Sequence, residues 1–358
     1  MFLKKIPFIF TRYLYCLKLI IILMAISAIF NNNQQQAVAS IFKWLFLIQL
    51  IVLILKAIEY DGIYKVIKIF SLAYLYPTFL VVLSVIFRVY KATEGDGSIS
   101  YVGGYFHEAV ISVIVIGAMA VFALLESESN NNKNKFLIFS FFSFLLILIN
   151  YRTTFLASLL LSVSLLYLIF LNTKLTTKHI VVFGGFILFL AISFAGPSNT
   201  LERFQEIPDA LSQSANLVDY PENYTKEERK LFSGRIYMWS NYISEALTGT
   251  DIQIIVGRGM DSWKESFDKY AHNTFVSFYY ELGVLGLTLF AILIIGLYKR
   301  IIKVRYSQVR YVLIGIFSAF LVLNLGTMPL WQIEGIIIFA LIIAITEYYV
   351  YRGSDVVR

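Results

Sequence analysis

Long apolar runs recur through this chain, each close to the length that crosses a bilayer, and that pattern excludes most soluble folds. A spanning helix needs about 20 mostly apolar residues. Such runs fall near 14–30, 41–58, 67–88, 105–125, 136–150, 153–171, 179–196, 273–297, 311–327 and 333–350. A lone strand cannot satisfy its backbone in lipid, so runs of this kind are read as helices. The expectation is an all-α, polytopic transmembrane bundle of about ten spans. Composition agrees: 58% of the 358 residues are hydrophobic and 15% are charged, whereas a soluble domain carries roughly 25% charge. The apolar stretch 136–171 is too long for one ordinary span. Asn150-Tyr151-Arg152-Thr153 divides it, and it reads as two helices joined by a tight polar turn.

Charge sets the expected orientation. Lys4, Lys5 and Arg12 precede the first run, and alternate connections carry Lys56, Lys65 and Lys68, then Lys133 and Lys135, then Lys174 and Lys178. Lys299, Arg300, Lys303, Arg305 and Arg310 follow, with Arg352 and Arg358 at the end. Positive residues in short loops mark the cytoplasmic side. Both termini are therefore expected in the cytoplasm and residues 197–272 outside. The net charge of +7 is accounted for by these loops, so nucleic acid is not an expected partner. No small-residue cleavage site follows the first run, which is read as a retained span.

The chain then divides into an N-terminal bundle (1–196), a large external loop (197–272) and C-terminal spans (273–358). The loop holds Pro197, Pro208 and Pro221 and has room for short helices. One is expected from Gly234 to Leu247, capped by Ser233, with Arg235, Trp239 and Tyr242 sharing a face. Gly249, Gly257 and Gly259 allow turns, and a second short helix is expected from Asp261 to Lys269. The next span begins at His272-Asn273. The Asn/Gln-rich 31–36 and Asn132-Lys133-Asn134-Lys135 read as solvated loops.

The residues that can carry chemistry are few. One cysteine, Cys16, excludes an internal disulfide and a cysteine metal cluster. Neither HExxH nor a paired-carboxylate motif appears, so no metal or other cofactor is expected. Of the three histidines, His179 adjoins Lys178 and reads as structural, and His107 adjoins Glu108 at a helix end. His272 stands where the loop re-enters the membrane, before a helix N-terminus whose dipole favours neutral imidazole, the form a general base needs. Read alone, it is equally an interfacial residue. Arg152 and Arg235 lie on the same expected side; each is either a headgroup contact or a phosphate ligand, for which the guanidinium fork is suited. Arg88 and Lys91 add charge at that surface. Glu281 lies inside a span, where a carboxylate must be paired, neutral or wetted, and Glu334 begins the last span. Gly283 and Gly286 form a small-residue surface that another helix can approach.

Ser233-Gly234-Arg235, Trp239, the Gly257-Arg258-Gly259 turn, His272-Asn273, Glu281, Gly283 and Gly286 together resemble the O-antigen ligase and repeat-unit polymerase superfamily. Tyr151-Arg152-Thr153 looks like the Ser-Arg-Thr entry to a span in those proteins, with Tyr151 replacing the usual small residue. The chain departs from the family in having about ten spans rather than about twelve and in lacking a proline before Gly257. The resemblance implies a metal-independent, inverting glycosyltransferase of the bacterial inner membrane that uses undecaprenyl-diphosphate-linked glycans. It implies Arg152, Arg235 and His272 as catalytic residues. Arg152, Arg235, Trp239, Arg258 and Glu281 would line the substrate, and the expected partners are membrane lipids, a flippase and a chain-length regulator. A polymerase is favoured over a ligase that transfers glycan to lipid A–core. A glycan-lipid transporter would instead need coupling residues or paired broken helices.

Overall fold

The computed structural model describes residues 13–92, 99–129, 131–171, 220–226, 228–229 and 234–355. The helices are α1 (Tyr15–Phe30), α2 (Gln34–Asp61), α3 (Ile63–Ile86), α4 (Glu108–Leu125), α5 (Asn132–Ile149) and α6 (Arg152–Leu171). Then follow α7 (Arg235–Leu247), α8 (Asp251–Val256), α9 (Trp263–Ser266), α10 (Thr274–Ile302), α11 (Ser307–Gly326) and α12 (Ile333–Asp355). A two-residue antiparallel ladder pairs β1 (Lys91–Ala92) with β2 (Ile99–Ser100). Eight of the helices are long and apolar enough to cross a membrane, and α1, at 16 residues, is a shorter apolar helix. The protein is thus a polytopic helical membrane protein. The span expected at 179–196, with His179, lies outside the described residues.

The residues divide into two compact units. The first comprises Met1–Gln49, Leu201–Leu297 and Asn324–Trp331; the second comprises Leu50–Thr200, Tyr298–Leu323 and Gln332–Arg358.

In the second unit, α4 is apolar all round, as a helix enclosed by others should be. It packs against α3, α5, α6 and α12. His107 is its N-cap, Nδ1 accepting the Ala109 N–H at 3.1 Å, which gives that histidine a structural role. The expected polar turn is present: α5 ends at Asn150, left-handed at φ 55°, and α6 starts at Arg152. The segment 132–135 is not a solvated loop. Asn131 caps α5 through its side chain on the Asn134 N–H (3.2 Å), and Lys135 is fully buried, donating to the Ser129 carbonyl. Glu347, also enclosed, forms a bidentate pair with Arg300 at 2.9 and 2.5 Å, so its buried charge is matched.

Candidate functional site

The site lies in the first unit and starts with α7. Its N-cap is Gly234, at φ 76°, rather than Ser233, which lies outside the described residues. Trp239 and Tyr242 do share a face. The Trp239 indole N–H donates to the Ala271 carbonyl at 2.8 Å and the Tyr242 hydroxyl to the Lys269 carbonyl at 2.8 Å. Two side chains of one helix therefore hold the segment that leads into His272. Tyr242 is fully buried and stacks on Phe267 with centroids 4.0 Å apart. Burial, reinforced by the Glu281 carboxylate, raises its phenol far above the ordinary range, so the hydroxyl stays a donor. Arg235 begins the same helix, four residues before Trp239, which is about one turn or 6 Å.

The indole bond predicts a local effect. Trp239→Phe keeps most of the ring but removes the donor to a carbonyl, an exchange that costs about 1 kcal/mol. Hydrogen–deuterium exchange across 269–273 is expected to rise while exchange in α4 is unchanged.

His272 adopts a left-handed backbone, φ 52°, uncommon for a residue with a Cβ. Its ring lies against Tyr270, with centroids 4.0 Å apart and planes at 34°. The helix after it starts one residue later than expected. Asn273 is the cap, its Oδ1 accepting the N–H groups of Phe275 (2.9 Å) and Val276 (3.3 Å). Two of the helix's orphan donors are thereby taken by Asn273 and not left open beside the imidazole.

Ten residues further on, α10 breaks at Gly283, where φ is 64° and ψ is −165°. The interruption frees carbonyls, and the 257–259 turn takes them. The Arg258 N–H donates to the Tyr280 carbonyl at 3.0 Å and the Gly259 N–H to the Glu281 carbonyl at 2.9 Å. A Cβ on Gly257 would lie 2.2 Å from the Glu281 carbonyl, and one on Gly283 would lie 2.4 Å from the Ile255 oxygen. Gly283 thus admits this turn, not the helix that was expected. A Cβ on Gly286 would meet Leu282 of its own helix at 2.2 Å, so this glycine accommodates the break.

The Asn-rich connection between α1 and α2 corrects the sequence reading. It is not a solvated loop. Asn31 donates to the Gly257 carbonyl at 3.0 Å and accepts from Gln253 at 2.9 Å, while buried Asn33 donates to the Met260 carbonyl at 3.1 Å. These amides hold the 257–260 turn from the side opposite in sequence. Gln253 also closes a capping box with Thr250 that starts α8, a helix the sequence reading passed over as glycine turns. The Thr-x-x-Gln spacing was the signal for it. The second short helix spans only Trp263–Ser266.

Of the residues assigned to the substrate by resemblance, Trp239 and Arg258 are engaged within the protein, and Glu281 is enclosed. Trp239 uses its N–H as described. The Arg258 guanidinium donates to the Glu245 carbonyl at 2.6 Å and pairs with the Glu245 carboxylate at 3.1 Å, closing the end of α7. Glu281 is 0% exposed, its carboxyl near the Asp261 backbone and the Trp331 indole. Arg235, Trp239, Arg258, His272 and Glu281 all belong to the first unit, and Arg152 belongs to the second. Arg152 is half-buried at the first position of α6, after buried Tyr151, whose carbonyl accepts the Thr154 hydroxyl at 2.8 Å.

Residues 137–291 match the O-antigen ligase family model. The ligase-like segment thus contains Arg152, Arg235, the 257–259 turn, His272 and the break at Gly283. The resemblance to the O-antigen ligase and polymerase superfamily, a group of membrane glycosyltransferase-like enzymes, stands on it. A comparison with curated proteins gives no match.

Proposed function

We propose that this ligase-like membrane protein is a repeat-unit polymerase, transferring a growing glycan from undecaprenyl diphosphate to a lipid-linked repeat unit. The observation that carries the transferase reading is the bracing of His272. Within the matched segment, the helix that begins with Arg235 holds the backbone on which His272 stands, through Trp239 and Ala271.

In this reading the acceptor sugar hydroxyl gives its proton to the His272 imidazole as its oxygen attacks the anomeric carbon. The bond from that carbon to the diphosphate oxygen breaks, its electron pair leaves with undecaprenyl diphosphate, and configuration inverts. Arg235, in the same unit as His272, binds the diphosphate and stabilises the charge that builds on the leaving oxygen, where electrostatic catalysis is most effective. This cation supplies part of the neutralisation a metal would otherwise give. Trp239 and Arg258 brace the site through their bonds to Ala271 and Glu245. The large loop faces outward from the inner membrane, where a flippase delivers the donor and a chain-length regulator ends growth.

The test is reconstitution in lipid with defined undecaprenyl-diphosphate repeats and a chelator. A glycan ladder without lipid A–core is the expected result. Product formed only when lipid A–core is added would make the protein a ligase, and no product with either acceptor would oppose transfer.

Arg235 carries a separate expectation. Arg235→Ala removes a charge-assisted contact, worth about 1.5–3 kcal/mol, so donor affinity should fall on the order of 10- to 100-fold. Lysine keeps the charge but not the fork and recovers part of this loss. Equilibrium binding of radiolabelled donor measures both. Unchanged affinity in the alanine variant would remove the diphosphate role.

A further inference from the structure

Three aromatic rings run in series up to His272. Trp263 of α9 meets Tyr270 edge-on, with centroids 6.0 Å apart and planes at 66°. Tyr270 in turn lies 4.0 Å from the His272 ring. Trp263, Tyr270 and His272 are each half-buried residues. The array has a firm base. Trp263 packs on a core that contains Tyr242, Ala271 and Tyr280. Polar groups lie nearby: Lys264, whose Nζ is 5.7 Å from the Trp263 ring centroid, pairs with Asp261 at 2.9 Å, and the Tyr280 hydroxyl donates to the Ser266 hydroxyl at 3.3 Å.

Fixed aromatic surface beside hydrogen-bonding and charged groups suits one class of ligand above others. A pyranose ring presents C–H groups on its faces, which pack on aromatic rings, and hydroxyls around its edge, which need polar partners. An apolar surface with a few placed polar groups is also the usual make-up of a small-ligand site. Lipid headgroups also favour tryptophan and tyrosine, but the series here ends at the imidazole assigned to the attacking hydroxyl. A glycan stacked along it would bring a hydroxyl to that imidazole.

We infer that Trp263 and Tyr270 form a stacking platform for the pyranose rings of the acceptor glycan, leading its nucleophilic hydroxyl to His272. The inference rests on the transferase reading above and assigns its acceptor side. The platform binds sugar, not diphosphate. Its loss therefore weakens acceptor binding and leaves donor binding intact.

The probe is the host's own repeat-unit oligosaccharide, released from its lipid diphosphate by mild acid. It is titrated against the full chain in nanodiscs and followed by saturation-transfer NMR, with lipid-linked donor binding measured in parallel. Trp263→Leu and Tyr270→Leu keep apolar bulk but remove the flat ring. Each is expected to weaken the oligosaccharide about 10-fold or more, raise the acceptor KM to match, and alter donor affinity by less than about threefold. Trp263→Phe restores a flat ring and should recover most of the loss. Wild-type affinity in both leucine variants would overturn the platform, as expected if the rings anchor the protein to lipid. So would a wild-type chain that binds donor but not the oligosaccharide, an outcome that spares the transferase reading. A Trp263→Phe variant that binds donor normally yet is as weak as Trp263→Leu would also contradict stacking. Failure to bind either ligand would remove both readings.

Discussion

Gly257→Ala is expected to prevent assembly of the first unit or to lower its melting temperature severely. The residue sits at φ 81° and ψ 177°, a backbone region essentially reserved for glycine and costing about 1–3 kcal/mol for others. The added methyl would stand 2.2 Å from both the carbonyl carbon and the oxygen of Glu281. These are backbone atoms, so no side chain can swing aside. Separating the turn from α10 also breaks the bonds from Arg258 and Gly259 to the Tyr280 and Glu281 carbonyls, each worth about 1 kcal/mol. The sum of strain, clash and lost bonds exceeds about 3 kcal/mol. Thermal unfolding in detergent, followed by scattering and native gel, measures it. A variant that unfolds with the wild type would mean that the turn does not hold the broken helix.

Most of the fold was legible because lipid leaves little choice. Once the apolar runs were long enough to span, their backbones had to be helical, and among the described residues the helices appear where the runs are. The α5–α6 turn was legible for a similar reason: 136–171 was too long for one span, and Asn150 is a residue that tolerates the left-handed conformation closing α5. What sequence could not show was tertiary use of polar residues. Asn31 and Asn33 look like solvated low-complexity sequence, yet their partners, Gly257 and Met260, lie more than 220 residues away. Composition cannot report a partner so distant. Lys135 was misread in the same way, since a lysine in a polar run gives no sign that a carbonyl awaits it.

In the candidate site, residue types were more legible than their jobs. Trp239 and Tyr242 were placed on one face by spacing alone, and the face proved to be the one that holds residues 269–271. Arg258 and Glu281 were read as substrate residues from the motif. In the structure Arg258 closes the end of α7 and Glu281 sits enclosed just before the break in α10. In sequence Gly283 reads as part of a helix-packing surface because small residues usually serve that purpose. Only its positive φ reveals the interruption. Nothing in the sequence sets Trp263 and Tyr270 apart, since an aromatic residue in a membrane-edge loop is the common case.

The central claim is that His272, held by the α7 bracing, takes the proton of the attacking sugar. Single-turnover transfer by His272→Ala, beside equilibrium donor binding, tests it most directly. The ring is half-buried, so its removal uncovers little apolar surface. Because His272 is left-handed, His272→Asn is the matched control: asparagine accepts that backbone but is not a base near neutral pH. Loss of a positioned general base slows the chemical step by about 100- to 10,000-fold. Both variants are expected to show that loss, with donor affinity within about threefold of wild type and an unchanged melting profile for the asparagine variant. Transfer at near-wild-type rate by either variant would contradict the account.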